Sequence, residues 1–277
     1  MKAALLQLTA GDDPVANLAV TRALLREAVA GGAGFVLTPE VTNCLANSRD
    51  RLDAVLQTED ADITLAALRA DAAALGVWLA IGSLGLRTGD ADGRFANRSF
   101  LIDPKGQIVA RYDKIHMFDV DVGPGETYRE SASYRPGDRA VVHDAGFATL
   151  GLTICYDVRF AYLHRALAQA GAGIILAPAA FSPVTGAAHW EPLLRARAIE
   201  TGCYVLAAAQ TGTHAAQSGT PRRTHGHSLV VSPWGEVLAD AGTDVGITYV
   251  DLDMDEVARS RSRVPALTHD RPFEGPR

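Results

Sequence analysis

The stretch Gly151-Leu-Thr-Ile-Cys-Tyr-Asp-Val-Arg-Phe160 decides how the rest of the chain is read. It continues an apolar, β-branched run, residues 149–154, that reads as a buried strand. The run meets Cys155, and a helical pattern starts soon after, near Phe160. A cysteine at a strand-to-helix turn is presented sharply beside backbone N–H groups, as serine is in the G-x-S-x-G elbow. The competing reading is a buried, inert thiol, because free cysteine is among the most buried residue types.

Working outward from this turn, strands and helices alternate. Residues 3–8 read as a buried strand. Pro14 opens a helix with Leu18, Leu25, Ala28 and Val29 on one face, and Gly31-Gly32 stops it. Phe35-Val-Leu-Thr is a short strand ending at Pro39-Glu40. Asp62 caps a helix carrying Leu65, Leu68, Ala72 and Leu75, Gly76 ends it, and residues 77–81 return to strand. Residues 97–102 and 107–112 form a hairpin around Asp103-Pro-Lys-Gly106. After Cys155 the order recurs: helix 162–169, strand 174–177, helix 190–199 with a Glu191–Arg195 pair, strand 204–209, and a hairpin of 228–231 with 237–239. Residues 251–263 read as a late helix.

Two pairs of segments overlay. Ser99-Phe-Leu-Ile-Asp-Pro-Lys-Gly-Gln-Ile-Val-Ala110 matches Ser228-Leu-Val-Val-Ser-Pro-Trp-Gly-Glu-Val-Leu-Ala239, and Phe35-Val-Leu-Thr-Pro39 matches Ile174-Ile-Leu-Ala-Pro178. Matching elements in one order indicate an internal two-fold pseudo-repeat. Two such halves bury their sheets face to face under outer helices. The expected fold class is therefore α/β, a four-layer α-β-β-α sandwich, as one domain over residues 1–277. Residues 264–277 form a tail poor in core residues, which either frays or reaches across to a partner subunit.

The chain has 277 residues, 48% of them hydrophobic, and a formal net charge of −6 without a basic run. That balance speaks against a nucleic-acid partner. No apolar run approaches membrane-spanning length, and Met-Lys-Ala-Ala-Leu-Leu-Gln-Leu turns polar too soon for a signal peptide. Cys44, Cys155 and Cys203 are odd in number and widely spaced, which argues against a disulfide framework and a C-x-x-C zinc site. A soluble, cytoplasmic protein is expected.

Glu40, Lys114 and Cys155 each follow an apolar strand, so their side chains can converge on one rim. A nucleophilic cysteine needs a base and an oxyanion-holding cation or N–H pair, and Glu40 and Lys114 supply those residue types. His225-Gly-His227 has the spacing of two metal ligands, but no Cys or carboxylate cluster adjoins it in sequence, so no metal or organic cofactor is expected. Cys203 reads as a structural thiol, Cys44 as a neighbour of the site, and Trp190 and Trp234 as packing residues.

Phe35-Val-Leu-Thr-Pro-Glu40, Arg111-Tyr-Asp-Lys-Ile-His116 and the Gly151–Phe160 stretch resemble the three signature segments of the nitrilase superfamily of carbon–nitrogen hydrolases. The resemblance covers nearly the whole chain. It implies an α-β-β-α sandwich with Glu40 as general base, Lys114 as oxyanion-stabilising cation and Cys155 as nucleophile. It also implies an oxyanion-hole N–H from Tyr156 and a second glutamate, Glu130, near the lysine. His116-Met-Phe-Asp-Val-Asp-Val122, Thr185-Gly-Ala-Ala-His-Trp-Glu191, Leu194-Arg-Ala-Arg-Ala-Ile-Glu200 and Gly226-His-Ser-Leu-Val-Val-Ser-Pro-Trp-Gly235 resemble its Nit branch, amidases for short α-keto acids carrying an ω-amide. The run from Ala196 to Gln210 is closer to members acting on deaminated glutathione than to ω-amidases acting on α-ketoglutaramate. Gly123-Pro-Gly-Glu126 and residues 215–222 depart from the branch pattern. The expected partners are a small-molecule amide and a second copy of the chain, as a homodimer or an assembly of dimers. Alternatives are an ω-amidase acting on α-ketoglutaramate-like substrates, an N-carbamoyl amine hydrolase, a true nitrilase, or a non-catalytic binding module on the same fold.

Overall fold

The computed structural model describes residues 1–123, 126–217 and 220–275, without the Glu126 side chain. The elements run β1 (Lys2–Gln7), α1 (Pro14–Ala30), β2 (Phe35–Leu37), α2 (Arg49–Val55), α3 (Ile63–Leu75), β3 (Trp78–Arg87), β4 (Phe95–Ile102), β5 (Ile108–Asp113), β6 (Asp119–Gly123), β7 (Glu126–Arg129), β8 (Val141–Asp144) and β9 (Thr149–Leu152). They continue α4 (Ala161–Gln169), β10 (Ile174–Leu176), α5 (Pro183–Thr201), β11 (Tyr204–Ala207), β12 (Thr211–Thr213), β13 (Arg223–His225), β14 (Leu229–Val231), β15 (Val237–Asp240), β16 (Gly246–Asp251) and α6 (Asp255–Arg263).

Two six-stranded sheets form the inner layers, ordered β16-β1-β2-β3-β4-β5 and β15-β14-β11-β10-β9-β8. In each, three parallel strands are flanked by antiparallel ones. Strand alternation sorts the side chains between layers. Ala3, Leu5, Phe35 and Leu37 join Leu150, Leu152, Ile174 and Leu206 in the core between the sheets. Ala4, Leu6 and Val36 point the other way, against Leu25 and Ala28 of α1 and Leu65, Leu68 and Ala72 of α3. Full burial of one leucine is worth roughly 1.5–3 kcal/mol, so a one-residue slip of β1 would forfeit several such terms at once. On the second sheet α4 lies close because Gly151 has no side chain: a Cβ there would come 3.2 Å from Leu167.

The sandwich and its repeat stand as expected, but the halves are not contiguous. The edge strand β8 enters the second sheet by a hairpin into β9, whereas its counterpart β16 returns from the end of the chain to pair with β1. Residues 251–263 were expected as helix; the helix begins only at Asp255, and Asp251 still belongs to β16. The helix expected from Trp190 starts at Pro183, with Ser182 accepting from Thr185 N at its cap. Val264 opens a tail that turns at Ala266–Thr268 and lies on its own α4. There Gln169 Nε2 reaches Asp270 Oδ2 at 2.8 Å and Arg165 Nη2 reaches Ala266 O at 3.0 Å. Residues 268–275 are exposed, and the tail's last two residues lie outside the described ones.

Candidate active site

Cys155, Glu40 and Lys114 all follow strand ends that meet on one rim of the sandwich. Each is held there by local backbone chemistry. Past β2, Thr38 and Pro39 press against β3 at Gly82, where a Cβ would lie 2.0 Å from Thr38 O and 2.4 Å from Pro39 O. Ser83 Oγ accepts from Val41 N at 2.8 Å, and Val41 sits at φ 47°. Cys155 sits at φ 50° and opens a short 3-10 turn, Cys155–Arg159. Non-glycine residues at positive φ cost of order 1–3 kcal/mol each and persist only where their surroundings enforce them.

The enforcing group at Cys155 is Asp157, which is fully buried. Its Oδ2 accepts from Ile154 N at 2.8 Å and from Tyr112 OH at 2.6 Å. Its Oδ1 accepts from His116 N at 3.1 Å and lies 2.7 Å from His116 Nδ1. His116 in turn stacks on Phe160 at 3.5 Å. The carboxylate therefore ties both ends of the cysteine turn to the segment that carries Lys114.

Lys114 Nζ lies 2.8 Å from Glu40 Oε1 and 2.9 Å from both Glu130 oxygens, with its side chain 2% exposed. Asn97 Nδ2 donates to Glu40 Oε1 at 2.9 Å and to Glu130 Oε1 at 3.3 Å. Phe118 N donates to Glu130 Oε2 at 2.7 Å, and Ala180 N to Glu40 Oε2 at 2.8 Å. Burial works to raise the Glu40 carboxyl, but the charge and hydrogen bond of Lys114 outweigh it and hold Glu40 below its ordinary value. Burial works against the Lys114 ammonium, and Glu130 and Glu40 overturn that, holding it well above its ordinary value. The Cys155 thiol, beside Glu40 and the Ala180 N–H, is pushed up by burial and then by the Glu40 charge, while Lys114 pulls it down. The resting arrangement is a carboxylate, an ammonium and a neutral thiol.

These groups floor a cavity of about 780 Å³ whose wall includes Tyr128, Arg222, Phe181 and Val184. The sequence reading singled out Glu40, Lys114, Glu130, Cys155 and Tyr156, and the structure brings the first four together. Tyr156 follows Cys155 in the 3-10 turn, where the first N–H groups lack intrahelical partners. Asn97, Asp157, Gly82 and Arg222 were not singled out. Asn97 and Gly82 carry no motif of their own, and their roles emerge only from contacts across the sheet. Of the segments that depart from the branch pattern, residues 124, 125, 218 and 219 lie outside the described residues. Cys44 lines the same cavity, with burial pushing its thiol up to about 12. Cys203 is fully buried, its thiol 3.2 Å from Ala172 O. His225 and His227 stack at 4.6 Å, and His227 Nδ1 lies 3.0 Å from Asp240 Oδ1. Trp190 is buried and donates to His227 O at 2.7 Å; Trp234 is 40% exposed beneath Arg263. Among the described residues no helix is long and apolar enough to cross a membrane.

A buried cysteine facing a carboxylate and an ammonium, on an α-β-β-α frame, defines a class of hydrolase for carbon–nitrogen bonds. The family model described as carbon-nitrogen hydrolase matches residues 2–262, and the chain belongs to that family. It is 40% identical over 269 residues to the deaminated glutathione amidase of Synechocystis sp. (strain PCC 6803 / GT-S), covering 96% of this chain and 97% of that one. It is 38% identical over 275 residues to the deaminated glutathione amidase of Homo sapiens, covering 97% and 82%. Among solved structures, Saccharomyces cerevisiae Nit3, a member of branch 10 of the nitrilase superfamily, superposes with TM-score 0.85 at 28% identity, covering 99% and 97%. The C. elegans NitFhit protein superposes with TM-score 0.87 at 33% identity, covering 98% of this chain, which spans 65% of that one.

Proposed function

We propose that the chain is a cysteine amidase that opens an amide of a 2-oxo acid through a thioester on Cys155, with deaminated glutathione as the substrate best supported. One observation carries the chemical part. Lys114 is clamped between Glu40 and Glu130 while the Cys155 thiol faces Glu40 at the floor of one cavity. The names of the relatives support the substrate.

In this reading a carbonyl enters between Cys155 and Lys114. Glu40 takes the thiol proton as sulfur attacks, so negative charge moves to the carbonyl oxygen instead of resting on an unfavoured thiolate. Lys114 Nζ and the Tyr156 N–H hold that oxyanion, a single such donor being worth about 3–4 kcal/mol. Protonated Glu40 then gives its proton to the leaving nitrogen. A simple ω-amide releases ammonia; deaminated glutathione would release the amine of its dipeptide instead. Water, activated by Glu40, hydrolyses the thioester and restores the thiol. Glu130 holds Lys114 in line.

Cys155→Ala should abolish release of amine or ammonia from deaminated glutathione and from an ω-amide of a 2-oxo acid, with the fold intact by circular dichroism. Rapid quench and mass spectrometry of the unsubstituted protein should find an acyl group on Cys155. Retained turnover in the variant, or an acyl group on Cys44 or Cys203, would sink the assignment. The same reading makes the protein cytoplasmic, in keeping with its three free cysteines, and a homodimer or assembly of dimers, supported by exposed Ile199, Trp234 and Val264. A stable monomer by light scattering at low micromolar concentration would count against the dimer.

A further inference from the structure

Arg222 stands on the cavity wall with one hand occupied. Its Nη2 donates to Ala180 O at 2.9 Å, and the guanidinium lies 5.5 Å from the centre of the Tyr128 ring. Its Nε is buried and, among the described residues, has no hydrogen-bond partner. Among the described residues no carboxylate sits within ion-pair distance of it, whereas Arg129 on the same wall is paired with Asp121 at 2.9 Å. Segment 220–222 is itself anchored, since Asn47 Nδ2 donates to Thr220 O at 3.2 Å. Drawing a guanidinium partly out of water without a counter-charge is costly, and an arginine so held is set up to receive an anion through its planar fork of N–H groups.

The place of this cation fits one kind of anion. Ala180 N donates to Glu40 and lies beside the Cys155 thiol, while Ala180 O accepts from Arg222. Cys155 and Arg222 thus flank a single residue, Ala180, across a span on the order of 10 Å. A five-carbon 2-oxo acid carrying its amide at the far end bridges that distance, with the amide carbon at sulfur and the carboxylate at the guanidinium. Resting on the amidase reading above, we propose that Arg222 binds the carboxylate of the substrate's 2-oxo acid end and so selects anionic over neutral amides.

The test compares the unsubstituted protein, Arg222→Gln and Arg222→Lys on two matched amides: 2-oxoglutaramate, and 4-oxopentanamide, in which methyl replaces the carboxylate. For Arg222→Gln, kcat/KM on the anionic amide should fall about 100-fold, mostly through KM, with the neutral amide within about threefold. Lys should restore part of the loss. Calorimetry with 2-oxoglutarate gives a readout that needs no turnover, and its affinity should fall about tenfold or more in Arg222→Gln. Equal loss on both amides would assign Arg222 a structural task through Ala180 and overturn the proposal. So would unchanged 2-oxoglutarate affinity, or an unsubstituted protein that takes the neutral amide as readily. If 2-oxoglutarate binds through Arg222 while no amide is turned over, the amidase reading fails and the carboxylate site stands.

Discussion

In the first half of the chain the strand ends carry Leu8, Glu40 and Lys114; at the matching positions the second half carries Cys155, Ala179 and Thr243. The correspondence follows from register. Ala3 pairs with Phe35 as Leu150 pairs with Ile174, which sets Leu8 against Cys155 and Glu40 against Ala179. The overlaid hairpins set Lys114 against Thr243. The frame thus offers two equivalent rims, and only one is armed. At the other, Leu8 and Ala179 are packed away from solvent. Charge explains the asymmetry. A buried ammonium survives only with carboxylates around it, so Lys114 is stable where Glu40 and Glu130 face it. The thiol must come from the opposite sheet, because β2 and β9 belong to different sheets whose ends meet across the sandwich.

The sharpest way to break this comparison is to disarm one rim and alter its counterpart. Lys114→Met leaves Glu40 and Glu130 buried side by side. Turnover of amide should fall about 10³-fold or more, and stability by about 3–5 kcal/mol. Thr243→Met, at the exposed matching position, should change stability by less than about 0.5 kcal/mol. Steady-state kinetics and urea unfolding check both, and similar effects at the two positions would refute the asymmetry.

A backbone version of the comparison comes next. Trp78 and Tyr204 occupy equivalent registers, so Gly82 corresponds to Ala208. Gly82→Ala drives a methyl into the carbonyls of Thr38 and Pro39 and should cost about 3 kcal/mol, displacing Glu40 and lowering activity with it. Ala208→Gly should cost only about 1 kcal/mol, the conformational penalty of glycine in a strand end. Equal losses in thermal unfolding would mean that Gly82 is not a contact constraint.

What the sequence disclosed follows the same division. Strands and helices punctuated by Pro and Gly were legible, as was the convergence of Glu40, Lys114 and Cys155 on one rim, because each follows an apolar run. The edge strand β16 was not, since Ile247 and Tyr249 gain a partner only when the end of the chain returns to β1, 200 residues and more away. The first turns of α5 were hidden by Thr185 and Gly186, weak helix formers, although Ser182 before Pro183 is a capping signal. Asn97 acts through bonds to distant segments, and Asp157 adds to its local bond from Ile154 N distant ones from Tyr112 and His116, which no local pattern records.

A milder test uses acid. Burial depresses both His164 and His214 to about 4. His214 bridges the halves, with Nδ1 2.7 Å from Ala10 O and Nε2 2.7 Å from Thr224 Oγ1. Between their folded values and the ordinary value near 6.5, the unfolded chain binds more protons. Stability is therefore full above about pH 6.5 and drains as pH falls toward 4, by up to about 3 kcal/mol per histidine. Urea midpoints at pH 7 and 4.5 measure the slope. His214→Gln should flatten it, and an unchanged slope would show that His214 titrates normally.

The smallest effect concerns how the cysteine turn is held. Tyr112 precedes Lys114 by two residues, and its hydroxyl donates to Asp157 across the sheet interface; its counterpart in the second half is Ala241. Tyr112→Phe removes one of several donors from a buried carboxylate while leaving the ring in place. The loss should be about 1.5–3 kcal/mol, the worth of a hydrogen bond to a charged group. Ile154 N and His116 still hold Asp157, so Cys155 should keep its left-handed turn, and kcat should fall only a few-fold. Asp157→Asn attacks the same turn at its centre and should do far more, because it removes the charge that Ile154, Tyr112 and His116 share. If Tyr112→Phe silenced the protein as completely as Cys155→Ala, the hydroxyl would be engaged in the chemistry itself. If Asp157→Asn proved the milder of the two, the turn would be held by something other than its carboxylate.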